Sequence, residues 1–399
     1  MSGIQIFLQN ALAEAVSYVI EVRRHLHTIP ELGFELHKTA AFVQRELEKH
    51  GYAPICGIAG TGIIADLYFS RPGPCLMIRA DMDGLPVQEA TGLPFASLHP
   101  GLMHACGHDG HTAMVLGAAR VMAELAASPW GHELAGSVRF LFQPAEEAPG
   151  GAIPMIQEGA LDGVHSCLAT HIWPQLPQGH IGIKTGPLMA ATDRFKIVFS
   201  GRGGHSSQPH LCDDVLSAAA NLALNLPREA CSGMNPALPA VLSICHIQAG
   251  HTFNVIPQTA QIWGCTRGFH PEICGAWQGA ISRVTAGIAA AYGVEWAIDY
   301  MPGHGAVNND PAITALVAEA AALAAGRENV VEPQLSMAGE DFACFQEKVP
   351  GCLFFLGSGR AASTALHSPD FTFDEAILET GCRIFCQAAL NILAAGQPG

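Results

Sequence analysis

Helical stretches alternate with short apolar runs along this chain, and that alternation restricts its fold more than any other feature. Helical patterns over residues 11–27, 37–50, about 110–127 and near 150–158 frame strand-like Ile63–Tyr68, Leu76–Ala80, Val138–Phe142 and Cys167–Thr170. Strands separated by helices imply an α/β fold, a mostly parallel sheet with helices on both faces. The same style returns near the end. Asp310-Pro311 opens an Ala-rich helix that stops at Gly326, Cys352–Leu356 reads as a strand, and Thr372-x-x-Glu375 reads as the capping box of a last helix.

Between these parts the style changes. Alternating strands at Arg194–Phe199, Ala240–Ile247, Thr259–Thr266 and Val294–Tyr300 enclose helices at 213–226 and 272–292. The order βαββαβ is the ferredoxin-like pattern. We therefore expect a discontinuous α/β domain of residues 1–186 and 302–399, interrupted by an α+β domain over 187–301.

Composition excludes several classes. With 49% apolar and 14% charged residues the chain can bury a large core and is not disordered. Twenty basic against 35 acidic residues, a net charge of −15, disfavours nucleic acid as a partner. No uncharged apolar run reaches the length of a membrane span, so no membrane association is expected. The N-terminus lacks the basic start of a signal peptide and reads as an amphipathic helix. The 13 cysteines, an odd number spread over the whole chain, do not form a disulfide framework, which points to a reducing cytoplasm. Nineteen histidines stand beside them, and His and Cys are the usual ligands of zinc-like metals.

Their placement is more telling than their number. His104-Ala-Cys106-Gly-His108-Asp109-Gly-His111 lies directly before an amphipathic helix, so glycines let potential ligands converge. The bland alternative is a polar helix start with Asp109 as its cap, where the helix dipole would help hold a thiolate at Cys106. Pro144-Ala-Glu146-Glu147 follows the strand Val138–Phe142. On extended backbone these carboxylates would point to opposite sides, one to a metal and the other to substrate. His171 and His367 also fall near strand ends, as do Asp81 and Asp83, where open α/β sheets gather their ligands. Gly357-x-Gly359-x-x-Ala362 matches only a relaxed dinucleotide fingerprint and is not followed by a clear helix.

Taken together, these segments resemble a known family. Arg24-His-Leu-His-Thr-Ile-Pro-Glu-Leu-Gly33, Arg79-Ala-Asp-Met-Asp-Gly-Leu-Pro86, Met103–Thr112, Gln143-Pro-Ala-Glu-Glu147, Gly203-Gly-His-Ser-Ser-Gln-Pro-His210, Asn254-Val-Ile-Pro257, Gly339-Glu-Asp-Phe342 and Leu366-His-Ser-Pro369 are similar to segments of the metal-dependent amidohydrolases. This is the aminoacylase, hippurate hydrolase and auxin-conjugate hydrolase family, related to carboxypeptidase G and succinyl-diaminopimelate desuccinylase. The segments occur in family order over about residues 23–375.

The resemblance implies a dinuclear metallohydrolase domain with an inserted lid or dimerisation domain, in a homodimer or dimer-based oligomer. It implies two divalent cations per subunit, zinc or manganese, with cobalt and nickel as alternatives. Cys106, His108, Glu147, His171 and His367 would be the ligands, with Cys106 bridging. Glu146 would be the general base, and His205 would polarise the scissile carbonyl, typically in the partner subunit's site. Asn254 and Arg267 would bind substrate, and Asp83 would support the metal site from behind. His25, His27, His37, His50, His132 and His270 are read as surface or packing residues. The implied reaction is hydrolysis of an N-acyl amino acid to a carboxylic acid and a free amino acid. An exopeptidase or dipeptidase on the same scaffold is the nearest rival, and a non-catalytic binding protein is a further one.

Overall fold

The computed structural model describes residues 3–360 and 364–395, which divide into two units. Residues 1–186, Asn308–Gln334 and Asp341–Gly399 form the larger one, and Pro187–Val307 with Leu335–Glu340 the smaller.

The larger unit opens with helices α1 (Gly3–Thr28) and α2 (His37–Lys49). Strands β1 (Ile55–Ile58), β2 (Gly62–Tyr68) and β3 (Arg71–Asp81) follow, then α3 (His108–Ala127), β4 (Ala135–Gln143), α4 (Ala152–Gln157) and β5 (Ser166–Pro177). The main sheet runs β1-β2-β4-β3-β5, then Gly351–Gly359, Ile181–Gly182 and Val330–Val331. Its centre, from β4 through β3 and β5 to Gly351–Gly359, is parallel. Towards the margins β2 runs antiparallel to both β1 and β4, as does Ile181–Gly182 to Gly351–Gly359. The reason at the first margin is chain length. Only residues 59–61 join β1 to β2, with Ala59 and Gly60 at φ +49° and +88°, and so short a link can only turn back.

Parallel strands need both faces covered. Helices α1, α3 and Ala376–Ala395 pack on one another, and the last two lie against β3. Their close approach depends on Gly117 of α3, where a Cβ would meet Val19 Cγ2 at 2.4 Å and Cys382 Sγ at 3.1 Å. Ala376–Ala395 is long and apolar enough to cross a membrane, but most of it is buried in this core. Its start departs from the expected capping box. Asp374 Oδ1, not Thr372, accepts the Ala376 N–H at 3.0 Å, and the Glu375 carboxylate is bound by Arg23 and Arg24 instead of turning back to the helix start. Asp310 does cap Pro311–Ala325, accepting from Ala312 and Ile313. Gly357 and Gly359 lie inside a strand rather than a phosphate loop, and Ala362 lies outside the described residues.

In the smaller unit four antiparallel strands run Ala240–Ala249, Thr259–Gly268, Ala191–Ser200, Glu295–Met301. Helices Val215–Cys231 and Pro271–Tyr292 complete a core around Phe195, Ile197, Phe199, Leu222, Ile262 and Trp277. A two-stranded ribbon pairs Gly204–His205 with Val255–Ile256.

Candidate metal centre

The carboxyl ends of β3 and β4 lie side by side, with Asp81 paired to Gln143. The chain leaving β3 carries Asp83, and the chain leaving β4 carries Glu146 and Glu147. Beside them α3 begins at His108, after Gly107 at φ +92°, and β5 contributes His171.

The two glutamates do not divide as extended backbone would require. Ala145 adopts φ +57°, and the residues after it form a turn. Asp83 accepts the Glu146 N–H on one carboxylate oxygen and the Glu147 N–H on the other, each at 3.1 Å. Both side chains consequently reach towards one histidine. His108 Nε2 is 4.0 Å from Glu146 Oε2 and 3.9 Å from Glu147 Oε1. Asp83 thus shapes the turn that presents both carboxylates.

Around them the other expected ligands gather. Cys106 Sγ lies 3.5 Å from His171 Nε2 and 3.3 Å from His367 Nε2, and His367 Nε2 is 3.2 Å from Glu147 Oε1. Cys106 belongs to two overlapping sets whose ligand atoms all lie within 4.8 Å, one with His108 and His171, the other with Glu147 and His367. His367 is delivered by a left-handed residue, φ +65°, whose N–H donates to the Ala105 carbonyl at 2.8 Å. A non-glycine residue there is uncommon, and strain of this kind concentrates at functional sites.

Two histidines of the same segment behave differently. His111 has both nitrogens committed: Nδ1 donates to Asp81 Oδ1 at 2.7 Å, and Nε2 accepts the Ile172 N–H at 2.9 Å. It is a neutral strut rather than a free ligand. His108, three residues earlier, makes no well-formed hydrogen bond at either buried nitrogen, although Nδ1 lies 3.3 Å from Asp83 Oδ1, and Glu147 Oε1 makes none, although His367 Nε2 is 3.2 Å away. Buried polar atoms without partners are rare. Poorly matched nitrogen and carboxylate atoms facing a thiol are a donor set that suits a divalent cation of the zinc type.

The charge balance agrees. Burial would lower the His108 pKa, but Asp81, Asp83 and Glu147 raise it to about 10. The same carboxylates that favour a proton on His108 favour a cation among them, which would have to displace that proton. The Cys106 thiol is pushed well up by burial and by Glu147, Glu146 and Asp81, so the helix start does not hold a thiolate here by itself. A metal would reverse that, since a coordinating thiol is deprotonated outright. His171 donates Nδ1–H to the Ile172 carbonyl at 2.8 Å, leaving Nε2 as the ligand atom, and burial lowers its pKa to about 3.

Asp109 is not the helix cap. Gly107 occupies that position, and the Asp109 carboxylate instead accepts from Arg23 and His27 of α1. Nor does His104 join the cluster. It is buried beside His27, with ring centroids 6.3 Å apart. Behind the site lies a network whose pairing the sequence did not reveal. Buried Arg79 donates to Gln143 at 2.9 Å, Asp81 at 2.6 Å and Asp341 at 3.0 Å, and Gln143 also donates to Asp341 at 2.7 Å. Arg79, Gln143 and Asp341 each sit in a quoted motif, which was the available signal.

The remaining expected residues belong to the smaller unit. His205 is exposed on the ribbon, Asn254 is exposed in the turn just before it, and Arg267 is half-buried on Thr259–Gly268. The Ser207 N–H donates to His205 Nδ1 at 3.1 Å, so in the neutral ring the proton is on Nε2, which is left as a donor.

Comparison with known proteins adds the following. The model of Peptidase family M20/M25/M40 matches residues 77–391. An N-acetyl-L-cysteine deacetylase of Bacillus subtilis is 40% identical over 379 residues, covering 95% of this chain and 89% of the relative. An N-acyl-L-amino acid amidohydrolase of Geobacillus stearothermophilus is 41% identical over 303 residues, 76% of this chain and 80% of that protein. The solved structure of the Bacillus subtilis YXEP protein, a dinuclear metal binding peptidase from the M20 family, superposes with a TM-score of 0.82 at 38% identity. It covers 96% of this chain and 99% of that one.

Proposed function

Because the chain belongs to Peptidase family M20/M25/M40, we propose that it is a metal-dependent amidohydrolase of N-acyl amino acids, releasing a carboxylic acid and a free amino acid. The observation that carries this reading is the meeting of Glu146 and Glu147 with Cys106, His108, His171 and His367, unmatched donors included. Cys106, His108, Glu147, His171 and His367 would hold two divalent cations, Cys106 belonging to both candidate ligand sets. Zinc suits the mixed thiol, imidazole and carboxylate shell, and manganese is the second candidate. When bound, such ions lower the pKa of water towards about 7 and polarise a carbonyl.

The chain's own residues do the rest. Glu146 takes the proton of the attacking water and returns it to the leaving amine, a role worth about 10²–10⁴ in rate. Asp83 fixes Glu146 through its N–H. His205 donates Nε2–H to the carbonyl oxygen as negative charge develops there, in the partner's site of a homodimer. Arg267 offers a bidentate fork to the amino acid carboxylate, and Asn254 orients the amide. The odd number and wide spacing of the 13 cysteines in the sequence suit a reducing, cytoplasmic setting.

Glu146→Gln should retain metal and lose at least about 10²-fold in turnover, whereas Cys106→Ala should lose metal as well. Metal content and hydrolysis of N-acetyl and N-benzoyl amino acids, set against unblocked dipeptides, test this. Near-native hydrolysis by Glu146→Gln would refute the assignment, and faster cleavage of unblocked dipeptides would move the enzyme to the exopeptidases.

A further inference from the structure

The segment Arg23-Arg-His-Leu-His27 has no part in the reaction above, yet it ends in a dense buried charge cluster. His27 Nδ1 lies 2.8 Å from Asp109 Oδ2, and His27 Nε2 lies 3.3 Å from Glu89 Oε1. Carboxylates only accept, so with an oxygen facing each nitrogen both nitrogens carry hydrogen and the ring is an imidazolium. Arg23 Nε donates to the same Asp109 oxygen at 2.9 Å, its guanidinium 4.9 Å from the Phe95 ring centre and 4.4 Å from that of Phe373.

What the cluster holds is the metal-binding turn. Asp109 follows His108 in the first turn of α3, and its charge there is favoured by the helix dipole. The opposite side of that turn is fixed by His111 and Thr112, which donate to Asp81. Gly110 leaves no slack, because a Cβ there would meet Ile172 Cδ1 at 2.7 Å and Phe373 Cζ at 2.8 Å. At its other end His27 engages Glu89, which accepts from the Ser97 N–H at 2.6 Å and from Thr91 Oγ1. Glu89 lies on the loop from β3 to α3, the loop that leads into Cys106. A single imidazolium therefore ties α1 both to the loop that approaches the segment Cys106–His108 and to the residue that follows it.

We propose that His27 is a positioning residue of the metal centre, acting through Asp109 and Glu89 to hold Cys106 and His108 in ligating geometry. The proposal rests on the metal-site reading above. Its effect falls on metal affinity, where partners of this kind commonly matter about 10–100-fold.

The test strips metal from the full chain with a chelator and titrates Mn²⁺ and Zn²⁺ into the native protein, His27→Gln, Glu89→Ala and Cys106→Ala. Thermal unfolding of each metal-free form is measured in parallel. Expected is a metal Kd weakened about 10–100-fold in His27→Gln and Glu89→Ala, beyond any change in metal-free stability. Native affinity in both variants, with only a lowered metal-free Tm, would reduce His27 to a structural residue and overturn the proposal. Should His27→Gln not fold, Glu89→Ala decides alone, and native affinity there has the same force. Cys106→Ala separates the two levels of argument. Native affinity in that variant refutes the metal site itself, whereas its loss beside native affinity in the His27 and Glu89 variants refutes only the positioning role.

Discussion

The candidate site residues of the two units are built on opposite plans. In the larger unit Cys106, His108 and His171 are buried, and charges near them are met by opposite charges: Asp81 by Arg79, with a further N–H from neutral His111, and Asp109 by Arg23 and His27. In the smaller unit His205 stands exposed on a strand of two residues and Asn254 on the turn before another, next to Phe253, whose side chain is fully exposed. The contrast follows from solvation. Charges taken out of water must be paired in good geometry, so an enclosed site needs a second layer of side chains to stay folded. An exposed histidine needs only its own loop, here the Ser207 N–H, to set its tautomer. Stability and turnover should therefore be inseparable in one unit and separable in the other.

The sharpest way to break this contrast is Arg79→Met. It takes the guanidinium from buried Asp81 and Asp341, leaving them only uncharged donors such as His111 and Gln143, and unfolding by denaturant should show a loss of about 3–5 kcal/mol. A loss below about 1 kcal/mol would mean that the enclosed plan needs no such layer. Next comes His205→Ala, for which turnover should fall about 10²–10³-fold while Tm and metal content stay native. A comparable fall in Tm would show the ribbon to be structural after all.

A smaller effect should appear in the pH dependence of stability. Burial would lower the His27 pKa, but the Asp109 charge and the hydrogen bonds to Asp109 and Glu89 raise it to about 9. A raised pKa gives stability that is complete below the unfolded value near 6.5 and fades as pH rises through about 9. Glu89 has the opposite sign. Burial opposes ionisation, yet His27, Thr91 and Ser97 bring its pKa to about 2, so its contribution fades only as pH falls from the unfolded value near 4.5 towards that point. This cluster is thus at full strength between about pH 4.5 and 6.5. His27→Gln should lose the alkaline decline that Tm measured from pH 6.5 to 9 shows in the native protein, and an unchanged slope would contradict it.

Much of this was legible in the sequence, for identifiable reasons. Cys106 and His108 are two residues apart at a helix start, and Glu147 and His171 lie at strand ends, so local spacing and topology suffice to group them. The convergence of Glu146 and Glu147 was not legible, because it depends on the left-handed Ala145 and on Asp83, more than sixty residues away in the chain. His111 matched a ligand by spacing, but its Nε2 is occupied by the N–H of Ile172, a contact that only the packing of α3 on β5 creates. His27 looked like a packing residue for the same reason, since its carboxylate partners come from distant segments. The antiparallel margins escaped notice because apolar runs do not reveal strand direction.

The position of His367 also has a consequence in time. It meets Cys106 across 261 residues of chain. At roughly 5–20 residues per second of synthesis, Cys106 leaves the ribosome some tens of seconds before that histidine exists. During that interval the nascent chain would present the Cys106 thiol without its His367 neighbour. On the proposed metal reading the choice of ion would be best made late, once His367 has been made, and supplying different metals before or after completion of the chain would reveal whether it is.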